Sequence, residues 1–502
     1  MSTTKSWSGF YIATGICCLL YILNLLFTPV PLIPVLGADD GHFMQQAVHI
    51  SRLDWLGPYD HLTLIKGPGY PAFLAIGRVL HLPFPIATAA IECASFAFLA
   101  FAVGRLANSP RLATVMLAAL AAFPWMWSGP LLRVLRDGFY TSLLFLFLAF
   151  SMLAIWGGGK RQWVLAAAAG ITAGWMSITR EEMPWLWPTI AVLVVCFGFT
   201  ERRNSRPLPT SAIVLLAGIF AFSVPPTSAA TLNYLKYGAF LVTDFTEPNF
   251  RSALKALYSV ETGERIPYLP ASRSSRLAAY EQSPTFAVLR EALDGNPATL
   301  AGWQRPGCDM YAGRFCSDYA GGWFMWAFRD AVAITGGYKS PQIAREFYRN
   351  MAAEINSACK GARLTCRYTP IAEIPPIAPG NLANVVTSAA QAVARLSLAA
   401  PLPLDLPNSE GPSDMIRTAA SLLRVLFVSP KPPGNADPVV QRFQVEWPLQ
   451  LVGTIQRHIR EFYNFIWPIA AIVFSLILMA STIVSIKRSA IDPLIVVTWI
   501  FV

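Results

Sequence analysis

The sequence predicts a mainly α, polytopic transmembrane helical bundle with a large extracytoplasmic α-rich domain inserted before its C-terminal spans. Three observations carry this prediction. Hydrophobic residues make up 54% of the 502 and charged residues 14%, against about 25% charged in a typical soluble domain, so the apolar excess requires a solvent other than water. Several apolar stretches reach or approach the roughly 20 residues that cross a hydrocarbon core as a helix. One long interval is polar enough to fold outside the bilayer.

The first apolar run, 10–36, follows Lys5. It exceeds the roughly 7–15 apolar residues of a signal peptide and shows no small-x-small cleavage pattern, so it reads as a retained first span. The stretch 68–82 is also apolar, but the break at Pro83 and Pro85 predicts a short interfacial helix feeding the second span. Further spans are expected at 84–103, 112–127, 139–156, 163–178, 185–199, 212–232 and 465–486. A last one begins near Pro493 and reaches Val502 after about ten residues, too few to cross, so the natural chain is expected to continue.

Alternate loops carry Arg105 and Arg111, Lys160 and Arg161, Arg202, Arg203 and Arg206, and Lys487 and Arg488. The positive-inside rule makes these cytoplasmic and places the N-terminus inside. The opposite loops hold 39–66, 133–137, 180–182 and the long segment 236–461. The expected organisation is therefore a membrane module at 1–235 with a first external loop at 37–67, an extracytoplasmic domain at 236–461, and C-terminal membrane helices at 462–502.

The net charge of +10 does not imply nucleic acid. There is no Lys/Arg run of the kind that follows a phosphate backbone, and membrane topology accounts for the basic loops. Cys17, Cys18, Cys93 and Cys196 lie in apolar spans and read as small hydrophobes, whereas Cys308, Cys316, Cys359 and Cys366 share one polar segment. An even set there suits an oxidising compartment. Of three possible pairings, Cys308 with Cys316 and Cys359 with Cys366 close the shortest loops. In the external segment, Ile343, Phe347, Met351, Ile355 and Ala358 recur at helical spacing and predict a helix over 341–358. Proline-rich stretches at 374–379 and 400–403 mark loops or linkers. Trp323, Phe324, Trp326 and Phe328 suit stacking on a sugar or resting on a membrane, with a buried domain core as the favoured explanation.

Acidic residues beside a span are costly when drawn into hydrocarbon, so their clustering at one face invites a functional reading. Asp39 and Asp40 directly follow the first span. Lys66 stands in the turn-rich Leu64-Ile65-Lys66-Gly67-Pro68-Gly69-Tyr70-Pro71, which can fix a cation at the membrane surface. Arg133, Arg136 and Asp137 follow between the third and fourth spans, and Arg180, Glu181 and Glu182 between the fifth and sixth. Arginines facing away from the cytoplasm run against the positive-inside trend and need a carboxylate or phosphate partner.

A span, then Asp39-Asp40 leading into Phe43, a loop closing on Lys66-Gly67-Pro68, and an Arg-rich loop containing Asp137 together resemble the membrane glycosyltransferases of the GT-C fold. That superfamily includes the protein O-mannosyltransferases and the lipid A aminoarabinose transferase, and the resemblance covers about 10–232. It departs from the superfamily pattern at Gly41-His42 after the acids and at Gly67 in the lysine motif. The resemblance implies a polyprenyl-phosphate-linked sugar as donor and a lipid, glycan or protein as acceptor. It places the protein in a plasma membrane, the bacterial inner membrane, with the site facing the periplasm or exterior. Asp39 matches the catalytic base, Asp40 its neighbour, and Lys66 a lysine near the lipid phosphate.

The chemistry agrees. Sugar transfer from a lipid phosphate needs a base for the acceptor and cations for a phosphate that leaves as an anion. Asp39 supplies the first, and Lys66, Arg133, Arg136 and Arg180 the second. Asp40, Asp137 and Glu181 orient the site or bind the acceptor, and displacement from the opposite face predicts inversion. No cofactor is required. A divalent cation on His42, His49 and His61 with the carboxylates is a minor alternative, since their spacing matches no tight metal signature. A transporter or flippase would place charges in the bilayer midplane, where Glu92 is the one obvious example. A non-catalytic scaffold with an external binding domain is the third class.

Overall fold

The structure is a computed structural model and describes residues 6–35, 38–127, 129–157, 161–181, 183–204, 207–263, 266, 269–295, 300–310, 313, 315–367, 382–397, 408–429 and 450–466. It is 74% helical and has no strands, only isolated bridges between Val30 and Val428 and between Val260 and Cys366 among the described residues. The chain divides into two compact units, one of residues 1–56, 67–228 and 389–502, the other of 57–66 and 229–388.

The first unit holds α1 (Ser8–Leu26), α2 (Asp39–Ser51), α3 (Gly69–Val79), α4 (Phe84–Leu106), α5 (Pro110–Ala121), α6 (Gly129–Leu132), α7 (Arg136–Trp156), α8 (Gln162–Ser177), α9 (Trp187–Arg203) and most of α10 (Leu208–Tyr237). Five segments are long and apolar enough to cross a membrane: Ser8–Leu26, Phe84–Leu106, Arg136–Trp156, Met183–Arg203 and Leu208–Tyr237. Helices suit such segments because every backbone polar group is satisfied within the element. Outward positions are apolar, as lipid contact requires: Ile12, Ile16 and Leu20 on α1, and Ile213, Leu216, Ile219 and Phe220 on α10, are exposed.

Two expected spans are shorter than predicted. The first helix stops at Leu26 instead of continuing to 36, because Pro29, Pro31 and Pro34 cannot continue it. Val30 N–H instead donates to Phe427 O, and Leu32 N–H to Ser409 Oγ. The run 112–127 breaks at Pro124 into the 12-residue α5 and a 3₁₀ turn, Pro124–Trp127. The run expected at 163–178 is present at its expected length as the 16-residue α8. The interfacial stretch forms α3. Expected spans at 465–486 and from Pro493 lie outside the described residues, apart from the end of a helix at 450–466. The proline-rich segments 374–379 and 400–403, Lys160, Glu182, Arg206, Lys487 and Arg488 are also outside them.

The second unit holds α11 (Pro248–Ser259), α12 (Arg273–Gln282), α13 (Pro284–Ala287), α14 (Ala301–Met310), α15 (Trp323–Ile334) and α16 (Pro341–Lys360). Its core gathers Phe250, Leu257, Phe286, Phe324, Phe328, Met351 and Ile355. The helix predicted at 341–358 is present, but its buried stripe is Ala344, Tyr348, Met351, Ala352, Ile355 and Ala358, while Ile343 is exposed. The Cys308–Cys316 and Cys359–Cys366 disulfides are formed. This unit ends at 388, short of the predicted boundary at 461, and it takes in 57–66. Helix α17 (Leu382–Ser397) runs across that boundary, and α18 (Ser413–Leu423) belongs to the first unit, where Ile416, Ala420 and Leu423 join the core with Phe43 and Met44.

Candidate functional site

In the first unit, Ala38 is extended and the chain turns directly into α2, so Asp39 and Asp40 occupy its first turn. Gly41 lets this turn lie against the preceding strand-like segment: a Cβ there would come within 2.4 Å of Val35 O.

Asp40 is fully buried and faces Arg133, whose Nη2 and Nε donate to Oδ2 at 2.6 Å and Oδ1 at 3.3 Å. Burial pushes the Asp40 carboxyl above its ordinary value, the Arg133 hydrogen bonds and charge pull it down, and the charge of Asp39 adds to the upward push. Asp39 is only half-buried.

The N-terminal turn of α7 adds Arg136 and Asp137. Arg136 Nη1 donates to Thr179 O at 3.0 Å and pairs with Glu181 Oε2 at 2.8 Å, and its guanidinium lies 5.9 Å from the Phe43 ring centroid. Arg180 pairs with Asp137 and lies over Tyr140. Beneath these charges is an aromatic floor, with Phe43 edge-on to Tyr70 at 5.2 Å and Phe73 stacked on Phe139 at 4.5 Å. Gly69 N–H donates to Ile178 O at 2.9 Å, and the Trp175 indole donates to Gly69 O at 3.1 Å. A Cβ on Gly67 would come within 2.1 Å of Ile178 O, so the loop requires glycine there.

The first unit therefore brings together Asp40, Arg133, Arg136, Asp137, Arg180 and Glu181, with Asp39 at the edge of the group. Three arginines meet four carboxylates among the described residues, so the cluster has no surplus positive charge. Lys66 belongs to the second unit, where its side chain is nearly buried and its ammonium lies 5.2 Å from the Trp326 ring centroid.

Sequence reading missed Thr179, whose contribution is a backbone carbonyl, and the floor residues Tyr70, Phe73 and Phe139, which look like any apolar span. It also missed the partner of Glu92: Tyr21 Oη donates to Glu92 Oε2 at 2.8 Å, fixing α1 to α4 inside the bundle. No signal links residues 71 positions apart.

Of the three histidines, His42 and His49 belong to the first unit and His61 to the second. His42 is buried in α2, His49 faces Asp54 at 2.9 Å, and His61, in the second unit, faces Asp330 at 3.2 Å. No group of three His, Cys, Asp or Glu side chains among the described residues is arranged to hold a metal ion. No protein-family model, curated protein or solved structure matches the chain.

Proposed function

We propose that the protein is a multi-pass membrane glycosyltransferase of GT-C type, in a bacterial inner membrane, moving a sugar from a polyprenyl-phosphate donor to an extracytoplasmic acceptor with inversion. The observation that carries this reading is the interlocked set of pairs Asp40–Arg133, Arg136–Glu181 and Arg180–Asp137. They draw three separate sequence segments into one charged cluster beside membrane-length helices.

Exposure divides the roles. Asp40 is sealed and clamped, so it anchors Arg133 and is not open to an acceptor hydroxyl. Asp39, in the same turn and half-open, is the general base. Arg136 is 8% exposed and locks the loop after α8, whereas Arg133 and Arg180 keep 28% and 27% of their side chains exposed. With no surplus cation in the cluster, a donor phosphate binds by joining or displacing carboxylates at Arg133 and Arg180, and Asp137 is the more open of the partners it would displace. Lys66 stays in the proposal on the resemblance alone.

An apolar cavity of about 430 Å³, lined by Phe147, Ile155, Trp187, Phe197, Leu215 and Phe222, suits an isoprenoid chain. It lies along the C-terminal half of α7, about 16 Å from Arg136 by helical rise, so it serves the lipid tail and not the reacting atoms.

The test supplies membranes containing the protein with a labelled polyprenyl-phosphate sugar. Wild type should transfer label, and Asp39→Asn should lower the rate by about 10² to 10⁴, the usual worth of a general base. Equal transfer by both removes Asp39 from the role, and label that crosses the membrane without transfer replaces the enzyme reading with a transporter.

A further inference from the structure

The second unit carries a cluster that the transferase reading leaves unused. Trp323 and Trp326 stand three residues apart on α15 and so share a face. Trp303, from α14, stacks against both, with ring centroids 5.6 Å apart at 28° to Trp323 and 6.1 Å apart at 16° to Trp326. Three indoles thus form a nearly parallel stair. Its inner step is held by Phe245, edge-on to Trp326 at 6.3 Å, and by the Lys66 ammonium over the same ring. Its outer step, Trp323, is 42% exposed.

Polar groups line one edge. The Trp303 indole N–H donates to Asp330 Oδ2 at 2.7 Å, and Asp330 Oδ1 lies 3.2 Å from His61 Nε2. Both Asp330 and His61 keep about a quarter of their side chains open. Core packing explains Phe324 and Phe328 on the same helix, which are fully buried. It does not explain an exposed tryptophan at the end of a stacked series.

We propose that this stair binds a glycan by its pyranose rings. A pyranose has an apolar C–H face and a rim of hydroxyls. The first suits the negative face of an indole, and the second needs donors and acceptors at its edge. Trp323 offers the face, and Asp330 and His61 supply acceptor and donor within the same patch. A purely lipid-anchoring patch would gain nothing from a carboxylate fixed at its edge, since anionic headgroups repel it. The inference is independent of catalysis, because it requires binding and no turnover.

The experiment uses the full chain in lipid nanodiscs and four probes: gluco-, manno-, galacto- and N-acetylglucosamine tetrasaccharides. Saturation-transfer NMR and tryptophan emission report binding. At least one probe should bind wild type, and Trp323→Ala should weaken it roughly tenfold, the loss of one aromatic stacking partner. Trp323→Tyr should restore most of the affinity, and Trp185→Ala, at an exposed tryptophan of the first unit, should leave it unchanged. The proposal is overturned if no probe binds wild type, or if Trp323→Ala binds as well as wild type. It is also overturned if brominated phosphatidylcholine quenches the Trp323 emission while no glycan binds, which makes the stair a membrane anchor.

Discussion

Asp39 and Asp40 are chemically identical neighbours, and the fold separates them by burial. Asp40 is closed off and held by the Arg133 fork, so removing the arginine strands a buried carboxylate. Arg133→Ala should cost about 3 kcal/mol of stability, and Asp40→Asn combined with Arg133→Met should recover most of it, because a buried pair is expensive to break and cheap to replace. Thermal unfolding in detergent measures both. The pH dependence has a definite sign. Burial holds the Asp40 carboxyl above its ordinary value of 3.8, so the native state keeps the proton after the unfolded chain has lost it. Stability conferred by this group therefore falls as pH rises through that window. Amide exchange in α2, corrected for intrinsic rates, should slow as pH is lowered towards 4, and Asp40→Asn should abolish the trend. The sequence identified both acids and all three arginines, but it assigned the arginines to a phosphate. It could not show that each is already paired with a carboxylate, since the Asp40–Arg133 contact joins positions 93 residues apart.

At the level of helices, length and closeness of approach decide the outcome. Apolar composition correctly located α4, α7, α9 and α10, because a run without charges has few other stable states in a bilayer. It overextended the first span and the third, where prolines end the helix while the apolar run goes on. Glycines tell what composition cannot. Gly41 and Gly67 sit against carbonyl oxygens of Val35 and Ile178, whereas Gly15 in α1 has open space around it. Gly41→Ala and Gly67→Ala should each destabilise by about 1–3 kcal/mol through overpacking, and Gly15→Ala should be neutral or slightly stabilising. Loss of transfer in Gly67→Ala at unchanged Asp39 would further tie the loop after α8 to the proposed chemistry. The helical stripe of α16 was legible in period and, at Met351, Ile355 and Ala358, in face, but its first turns are shifted: Ile343 points outward, and Ala344 and Tyr348 point in. A periodic pattern fixes which spacing is apolar, but neighbouring elements choose the face.

For the molecule as a whole, the second unit depends on long-range closure. Arg329 is fully buried, donates to Asp244 Oδ2 at 2.8 Å and to His61 O, and lies 4.8 Å from the Tyr338 centroid, so 57–66 is bound to helices far along the chain. The two disulfides close loops of 8 and 7 residues, for which chain entropy gives about 2.5 kcal/mol each. Reduction should raise amide exchange in α14 and α16 and leave α4 and α7 unchanged. Uniform loosening of both units would refute the division.

By itself the sequence determined the membrane character, the helical class and the residues that carry charge, because composition and apolar run length act locally and the bilayer admits few alternatives. Only the tertiary structure decided that Asp40 and not Asp39 is buried, that Arg133, Arg136 and Arg180 are paired with carboxylates, that Lys66 lies against Trp326, and that Trp323 is exposed while Phe324 is not. Those outcomes depend on which surfaces meet across tens to hundreds of residues, and packing sets that where local propensity does not.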